Sequence, residues 1–331
     1  MLGVAVVGLG WWGKIVSDLI IAHPRFRLVM GVDPSADAQG FARERTIALS
    51  GDLEKAISAP DIHAVILCTP HSLHAGQIVR AANAKKHVFC EKPLSLSRAE
   101  VLRAIDACNA NRVVLAVGHE KRFEPPILEL MRLAKSGELG TLLQIEANFS
   151  QDKFLSLPAD NWRLSAREAP AGPMTATGIH LLDLSVALLG PAERAFASVR
   201  QLGSQLVNGD TLGMLVSFRS GANALLSAML ATPFVGRFAV FGNRGWAEVR
   251  DKAHPEAPEG WTLTTCFRGG KPEMRDYPPA RAVLANLEAF ADAVDGRTPY
   301  PVPQEQMIAN ISALEAIFRS AGSGRVETVE N

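Results

Sequence analysis

The segment Gly8-Leu9-Gly10-Trp11-Trp12-Gly13 lies directly after a short apolar run, residues 4–7, and before a helical pattern that begins at residue 14. A G-x-G-x-x-G motif between a strand and a helix is typical of a turn that binds a dinucleotide. The first glycine makes the tight turn, the second lets the backbone approach the pyrophosphate, and the third permits close packing of helix on strand. The motif therefore predicts a dinucleotide site that includes Trp11 and Trp12, with the phosphates at the N-terminus of the helix.

An acidic residue follows the motif at the spacing that such a site requires. Asp33 ends the second apolar run, residues 28–32, and lies twenty residues after Gly13. Its carboxylate would accept hydrogen bonds from the adenosine ribose and repel a 2′-phosphate, which favours NAD without excluding NADP. Thr69-Pro70 follows another apolar run at the predicted carboxyl edge of the sheet, where the cofactor should lie. The competing interpretation is a glycine-rich turn in an α/β protein that binds no nucleotide.

Short apolar runs alternate with helical patterns through the first 120 residues. The runs lack polar alternation, which is typical of strands buried on both faces of a parallel sheet. The runs cover residues 4–7, 28–32, 64–67, 87–90 and 113–117, and the helical patterns cover 14–22, 53–58, 72–84 and 96–110, with Ser72 and Ser97 as predicted N-caps. Repeated strand–helix units predict an α/β Rossmann domain with a doubly wound parallel sheet over residues 1–120.

The pattern changes after Gly118. Between residues 195 and 266, alternating segments punctuated by glycine predict an antiparallel sheet. A further strand is predicted over residues 141–151, and helices over 125–136, 175–189, 282–294 and 304–320. We expect an α+β domain over residues 121–331 with a large, mostly antiparallel sheet that has one open face, and a C-terminal helix that can pack back on the first domain.

Composition argues against several functional classes. The 331 residues include 34 lysines and arginines and 34 aspartates and glutamates, a balance that argues against nucleic acid as a partner. No apolar run approaches the roughly twenty residues that cross a bilayer, so no membrane association is expected. No set of His, Cys and Asp residues has metal-ligand spacing, and no metal is predicted. The cysteines lack C-x-x-C pairs, which favours a reducing compartment, the cytoplasm; they are Cys68, Cys90, Cys108 and Cys266.

A lysine follows the strand predicted over residues 87–90, in the sequence Glu91-Lys92-Pro93. At the carboxyl edge of a Rossmann sheet it would lie near the nicotinamide, where it could pass a proton while a hydride moves. Burial beside other cations would lower its pKa toward a useful range. From the residues alone, a solvated lysine at a strand end is an equal alternative.

Several longer motifs accompany the glycine turn and Glu91-Lys92-Pro93. They are Thr69-Pro70-His71-Ser72-Leu73-His74, Gly118-His119-Glu120-Lys121-Arg122-Phe123, Trp162-Arg163 and Gly178-Ile179-His180-Leu181-Leu182-Asp183. Together they resemble the glucose–fructose oxidoreductase / inositol dehydrogenase / rhizopine-catabolism family, abbreviated Gfo/Idh/MocA, over nearly the whole chain. The resemblance implies a nicotinamide-dependent oxidoreductase with a Rossmann domain and a second α+β domain.

The resemblance also implies roles for individual residues. Lys92 would be a catalytic and substrate-binding residue, His180 would complete the site, and the Lys92–Pro93 bond would be cis. Trp162 and Arg163 resemble a pair on the loop that lines the substrate pocket. The full set of predicted cofactor-binding residues is Gly8, Gly10, Trp11, Trp12, Gly13, Asp33, Thr69, Pro70, His71, His74 and Glu91. The two histidines of this set are equally well structural hydrogen-bonding residues.

The sequence departs from the family pattern at Ala176. Many sugar and polyol dehydrogenases of the family have an aspartate at this position, four residues before the histidine that His180 matches, one helical turn away on the same face. Either Lys92 and His180 suffice for proton transfer, or the substrate is not a typical polyol. Thr175 and Thr177 offer hydroxyl groups, but an α-helix would place neither on the face of His180.

The predicted function is hydride transfer between a nicotinamide cofactor and a secondary alcohol or carbonyl of a small sugar-like or cyclic diol substrate. Lys92 would be the acid/base, and His180 would orient the substrate oxygen or share the proton. Two alternatives stay open: an NAD-dependent glycosidase of the same family, and a non-catalytic protein that senses a dinucleotide or sugar. The family commonly forms dimers or tetramers, so a homodimer or homotetramer through the open sheet is expected.

Overall fold

The structure is a computed structural model that describes residues 1–255 and 257–330. The chain forms two compact units. The first comprises Met1–His119 and Val283–Met307, and the second comprises Glu120–Ala282 together with the chain from Ile308 onward. Within the described residues, no helix combines the length and the apolar character needed to span a membrane.

The first unit contains a six-stranded sheet in the order β3-β2-β1-β4-β5-β6, in which every neighbouring pair is parallel. Its strands are β1 (Leu2–Val7), β2 (Phe26–Val32), β3 (Ala48–Ser50), β4 (Ala64–Leu67), β5 (His87–Cys90) and β6 (Leu115–Val117). The helices between them are α1 (Trp11–Ile21), α2 (Ala36–Glu44), α3 (Leu53–Ser58), α4 (His74–Asn83) and α5 (Arg98–Asn111). The strand order reverses between β1 and β4, and ligands of such sheets bind beyond the carboxyl ends of the strands at this point.

The second unit contains a nine-stranded sheet in the order β14-β13-β12-β11-β7-β10-β9-β8-β15. Its neighbouring strands are antiparallel except for the pair β7 and β10. In chain order the elements of this unit are α6 (Pro125–Lys135), β7 (Leu142–Ser150), α7 (Ile179–Leu189), β8 (Ala192–Arg200), β9 (Thr211–Phe218), β10 (Asn223–Met229), β11 (Val235–Gly242), β12 (Gly245–Asp251), β13 (Trp261–Phe267), β14 (Glu273–Tyr277), most of α9 (Gln304–Ser323) and β15 (Glu327–Thr328). The intervening helix α8 (Ala282–Val294) belongs to the first unit. Helices α6 and α7 pack on this sheet.

Helix α8 is distant in sequence from the Rossmann sheet but packs within the first unit. Leu287 and Phe290 are fully buried in its core, and the ring of Phe290 lies 5.8 Å from that of Phe89. The amide of Asn286 donates to the carbonyl oxygen of Val117 at the end of β6, at 3.0 Å. Through these contacts, α8 packs next to β5 and β6 and forms part of the hydrophobic core of the first unit.

The observed architecture confirms the predicted fold class. Ser97 caps α5 as expected, since its Oγ accepts a hydrogen bond from the backbone N–H of Glu100 at 3.4 Å. The prediction of Ser72 as an N-cap is wrong. Residues His71–Leu73 form a 3₁₀ turn, in which the N–H of Leu73 donates to the carbonyl oxygen of Pro70, and α4 begins only at His74.

Candidate functional site

The glycine turn has the geometry that a pyrophosphate site requires. Gly8 has φ +90°, and a Cβ atom there would lie 2.7 Å from the carbonyl oxygen of Cys68. A Cβ atom on Gly13 would lie 1.8 Å from the carbonyl oxygen of Gly8, so only glycine lets α1 start this close to β1. Around the Cβ position of Gly10, by contrast, no atom of the described residues lies within 4 Å. The turn is thus closed on its inner side and open over Gly10, where a phosphate would approach.

The two tryptophans of the turn lie in different surroundings. Trp11 begins α1 and is 46% exposed, whereas Trp12 packs against the core of the first unit. Their rings are 5.8 Å apart and tilted by 58°. The indole Nε1 of Trp12 is buried and has no hydrogen-bond partner among the described residues. Both predicted cofactor-binding tryptophans are therefore next to the turn, but only Trp11 presents a largely exposed ring.

Asp33 connects the end of β2 to the glycine turn. One carboxylate oxygen accepts a hydrogen bond from the N–H of Leu9 at 2.7 Å, and the other accepts one from the N–H of Ser35 at 2.8 Å. Each carboxylate oxygen can accept more than one hydrogen bond, so the side chain can hold the turn and still bind ribose hydroxyls. The Asp33 carboxylate, which accepts hydrogen bonds, and the open space over Gly10 together fit an adenine dinucleotide.

A buried histidine lies between the Thr69-Pro70 segment, which follows β4, and the Glu91-Lys92-Pro93 segment, which follows β5. His74 is fully buried, with Nδ1 2.8 Å from the carbonyl oxygen of Pro93 and Nε2 2.9 Å from that of Thr69. Burial lowers the pKa of His74, against the effect of the two carbonyl oxygens, and a neutral ring donates its single N–H to one of them at a time. The side chain of Thr69 donates to Gln77 at 2.6 Å. His74 thus fixes the Thr69-Pro70 segment relative to Pro93, and its neighbour His71 is also buried, with the two rings 5.9 Å apart.

The Glu91-Lys92-Pro93 segment is anchored through Glu91. The Lys92–Pro93 peptide bond is cis, which confirms the expectation drawn from the resemblance. The Glu91 carboxyl group is buried against Gly118, where a Cβ atom would lie 2.5 Å from Oε1. The N–H of Lys92 donates to Glu91 Oε2 at 3.3 Å. The backbone on both sides of Lys92 is therefore held, by Glu91 before it and by the bond from His74 to Pro93 after it.

In the second unit, His180 lies in the first turn of α7 and is buried. Its ring is 5.8 Å from the ring of Phe149 on β7. Its Nδ1 atom lies 3.6 Å from Oε2 of Glu120, another buried side chain. The sequence placed His180 in the site, but it did not identify Glu120 as its neighbour.

The residues before α7 form a wider turn than the predicted α-helix. Met174–Gly178 is a π-helical turn, in which the N–H of Ile179 donates to the carbonyl oxygen of Met174. Ala176 lies in this turn and packs against a small apolar cluster of Phe154, Leu206 and Leu230. The position that bears an aspartate in many polyol dehydrogenases is therefore partly apolar in this chain.

The residues next to Glu120 form two buried ionic groups. Arg122 binds Asp183 of α7 through Nε at 2.5 Å and a terminal nitrogen at 2.7 Å. Lys121 binds Glu124 at 3.1 Å and Asp251 at 2.9 Å. Burial opposes the charge of Lys121, but the two carboxyl groups hold its pKa above the usual value. Burial raises the pKa of Glu124 to about 8 despite its contact with Lys121.

Trp162 and Arg163 are adjacent in a 3₁₀ turn of the second unit, Trp162–Leu164. The guanidinium of Arg163 lies over the Trp162 ring, 4.3 Å from its centroid, a cation–π arrangement. The turn is held by Asn208, whose amide donates to the carbonyl oxygen of Arg163 at 2.8 Å. Both side chains are partly exposed, as residues that line a substrate pocket would be.

Comparison with known proteins gives the family. The model for the oxidoreductase family with an NAD-binding Rossmann fold matches residues 2–119, and the model for the GFO/IDH/MocA C-terminal domain matches residues 127–248. D-xylose 1-dehydrogenase (NADP(+)) 2 of Haloferax volcanii is 28% identical over 328 residues, which cover 98% of this chain and 97% of that protein. 2,7-Anhydro-N-acetylneuraminate hydratase of Escherichia coli is 29% identical over 236 residues, 68% of this chain and 61% of that protein.

A solved structure supports the same grouping. Aldose-aldose oxidoreductase from Caulobacter crescentus, complexed with glycerol, aligns with a TM-score of 0.85 and 25% identity, covering 99% of both chains. The alignments therefore include both the Rossmann sheet and the nine-stranded sheet. This chain belongs to the Gfo/Idh/MocA family of NAD-binding oxidoreductases.

Proposed function

We propose that the protein is an NAD(P)-dependent dehydrogenase that acts on a secondary alcohol or carbonyl carbon of a small sugar-like or cyclic diol substrate. The observation that carries the proposal is the position of Lys92. It lies just beyond the carboxyl end of β5 between two fixed points, at the edge of the sheet where dinucleotides bind. The xylose dehydrogenase and the aldose-aldose oxidoreductase, both related over nearly the full chain, favour a sugar as the substrate.

The cofactor, when bound, supplies the hydride acceptor or donor. The chain's own residues then have four tasks. The glycine turn and Asp33 hold the dinucleotide, and Lys92 takes the proton of the substrate hydroxyl in oxidation or returns it in reduction. His180 orients the same substrate oxygen or shares its proton, and Trp162 and Arg163 bind the remainder of the substrate.

The alanine at position 176 narrows the substrate class. Because a methyl group accepts no hydrogen bond, a polyol with several adjacent hydroxyls would leave some of them unpaired there, at a cost of about 1–3 kcal/mol each. We expect a less hydroxylated or an anionic substrate instead. Arg163 and Lys153 are the cations that could bind a carboxylate; Lys153 is half-buried, and its Nζ lies 3.0 Å from Nδ1 of His254.

A substrate panel tests this proposal. The purified protein is incubated with NAD⁺ and a set of aldoses, inositols, cyclic diols and sugar acids, and the absorbance of NADH is followed. We expect sustained NADH formation with some sugars or diols. The kcat/KM for myo-inositol should be at least tenfold lower than that for the best substrate of the panel, because one unpaired hydroxyl costs about 1.4 kcal/mol or more. Efficient oxidation of myo-inositol would contradict the inference from Ala176.

The same assay separates two other candidate functions. The E. coli relative is named a hydratase of an anhydro sugar, which favours a mechanism without net redox change as the second candidate. In that case the sugar product forms while the NADH concentration stays constant. A sensor protein would bind the dinucleotide and turn over none of the compounds.

We also propose that the protein is a homodimer or homotetramer that assembles through the open face of the nine-stranded sheet. Phe196, Leu215 and Leu225 are paired across β8, β9 and β10 and are 39–45% exposed. The alternate residues of β10, Ala224 and Leu226, point to the opposite face and are buried. Three adjacent exposed apolar side chains on one sheet are typical of a surface covered by a partner.

Leu225→Glu tests the assembly. A carboxylate buried without a partner costs about 3–5 kcal/mol, so we expect the dissociation constant of the oligomer to rise at least a hundredfold. Analytical ultracentrifugation over a concentration series measures the change. Leu128→Glu is the matched control, because Leu128 is 52% exposed on α6 rather than on the sheet. An unchanged molar mass for Leu225→Glu would exclude this face as the interface.

The cysteines support a cytoplasmic location. All four are thiols rather than disulfides, and Cys68, Cys90 and Cys108 are buried. Burial raises the pKa of the Cys108 thiol to about 12, so this group stays protonated. Buried, unreactive thiols are typical of proteins from reducing compartments.

A further inference from the structure

Glu120 and His180 form a buried acid–imidazole pair that the sequence motifs do not reveal. The two residues are sixty positions apart, and both side chains are at most 10% exposed. The distance from Oε2 of Glu120 to Nδ1 of His180 is 3.6 Å. At such a distance and burial, a carboxylate has a strong electrostatic effect on the ring.

The backbone that bears Glu120 is fixed from two sides. Glu120 begins a 3₁₀ turn that ends at Phe123. The third residue of the turn, Arg122, makes a two-point bond with Asp183, which lies one helical turn after His180 on α7. The second residue, Lys121, binds Asp251 at the end of β12. The turn that carries Glu120 is thereby attached both to the helix of His180 and to the sheet.

We infer that Glu120 is a positioning residue for His180, and this inference rests on the proposed function. Its carboxylate orients the imidazole through Nδ1 and stabilises the imidazolium that forms when His180 accepts a proton. In oxidation, the bound cofactor would accept the hydride of the substrate carbon, and the one proton of the substrate hydroxyl would be taken by Lys92 or shared between Lys92 and His180.

Several buried charged groups lie on the elements that contact His180. Among the described residues they include the carboxyl groups of Glu120, Glu124, Asp183 and Asp251 and the cations of Lys121 and Arg122. On β7 the neighbour is the ring of Phe149, with His254 beyond it. Because burial raises the pKa of Glu124 to about 8, that group is mostly neutral at pH 7. The Glu120 carboxylate, 3.6 Å from Nδ1, stabilises the positive charge when the ring takes up a proton.

The test is a pH titration of the histidine ring by NMR in the full-length protein, labelled in its 8 histidines. The signal of His180 is identified by its loss in His180→Asn. Because a nearby carboxylate favours the charged ring, we expect Glu120→Gln to lower the midpoint of the His180 titration by about one to three pH units. Glu124→Gln is the matched control: it removes a buried carboxyl group of the same turn region that is already mostly neutral, so the midpoint should stay within experimental error.

A double-mutant cycle gives the kinetic readout, with the best sugar of the substrate panel and NAD⁺. We expect Glu120→Gln to lower kcat about ten- to a hundredfold with little change in KM, and Glu120→Asp to recover part of the loss. In the His180→Asn background, Glu120→Gln should have no further effect, because it acts through His180. Melting temperatures verify that each variant is folded.

Either of two NMR results would overturn the inference: a His180 midpoint that does not move in Glu120→Gln, or a ring that stays neutral throughout the titration of the unmodified protein. Additive losses of kcat in the cycle would do the same, because they would show that Glu120 acts independently of His180. A different result would contradict the proposed role of His180 in the reaction. If His180→Asn leaves turnover unchanged, His180 has no part in the reaction, while the NMR midpoints still report whether Glu120 controls its protonation.

Discussion

Lys92→Ala should reduce turnover at least a hundredfold while leaving dinucleotide affinity nearly unchanged. Loss of a group that transfers a proton in the transition state lowers kcat by about 10²–10⁴. The dinucleotide contacts predicted for the glycine turn, Asp33 and Thr69 do not involve the Lys92 side chain. Steady-state kinetics give kcat, and quenching of tryptophan fluorescence by NADH gives the dissociation constant.

Lys92→Arg separates proton transfer from charge. Arginine keeps the positive charge but does not release its proton near neutral pH, so we expect nearly the same loss of kcat as with alanine. Lys55→Ala, an exposed lysine on α3 of the same unit, is the matched control and should leave kcat unchanged. Full activity of Lys92→Arg would mean that Lys92 acts only through its charge. A loss of NADH binding in Lys92→Ala would instead make it a residue that positions the nicotinamide.

The features that could be predicted from the sequence depend on short stretches of chain. In the glycine turn, a Cβ atom on Gly13 would collide with the carbonyl oxygen of Gly8, five residues earlier. Both residues of this contact therefore lie within one short motif. The parallel sheet could be predicted for a similar reason, since strands buried on both faces are apolar throughout. β3 was not predicted, because its three residues are too few to show a pattern.

The features that the sequence did not reveal depend on contacts between distant segments. Glu120 and His180 both lie in motifs that identify the family, but nothing local indicates that the two side chains meet. Their pairing requires the 3₁₀ turn to be fixed on α7 by Arg122 and Asp183, residues 61 positions apart. The π-helical turn before α7 is a similar case, because its residues, Met174–Gly178, fit an α-helical pattern equally well.

The unmodified protein should bind NADH about ten- to a thousandfold more tightly than NADPH. Asp33 lies where the adenosine ribose is expected, and two like charges about 4 Å apart repel by about 4 kcal/mol when partly shielded from water. An NADP-binding site compensates with a cation that meets the 2′-phosphate. Two of the cations on and near α2 are already paired, Lys14 with Asp37 at 2.6 Å and Arg45 with Asp18 at 2.5 and 3.0 Å, and Arg43 lies in the last turn of the helix, at the end opposite Ser35.

The expected preference for NADH would distinguish the chain from its relative in Haloferax volcanii, whose name specifies NADP(+). Ser35 is the residue that could reduce the preference for NADH over NADPH, because its hydroxyl can donate a hydrogen bond to an oxygen of the 2′-phosphate. In this structure, however, the Ser35 Oγ accepts a hydrogen bond from the N–H of Ala38 and caps α2. Use of Ser35 for a phosphate would therefore weaken the start of that helix.

Asp33→Ala should both weaken NADH binding and remove most of the discrimination against NADPH. The substitution removes the ribose acceptor and leaves the part-buried N–H of Leu9 without the carboxylate it binds, at a cost of about 1–3 kcal/mol, whereas the exposed N–H of Ser35 can bind water instead. We expect NADH affinity to fall about tenfold or more while NADPH affinity falls less or rises, because the repulsion of the 2′-phosphate disappears as well.

Calorimetric titration of both cofactors measures the two changes, and Asp61→Ala, which removes an exposed carboxylate paired with Arg27, is the control. Tighter binding of NADPH than of NADH to the unmodified protein would show that Asp33 holds the turn but does not select the cofactor.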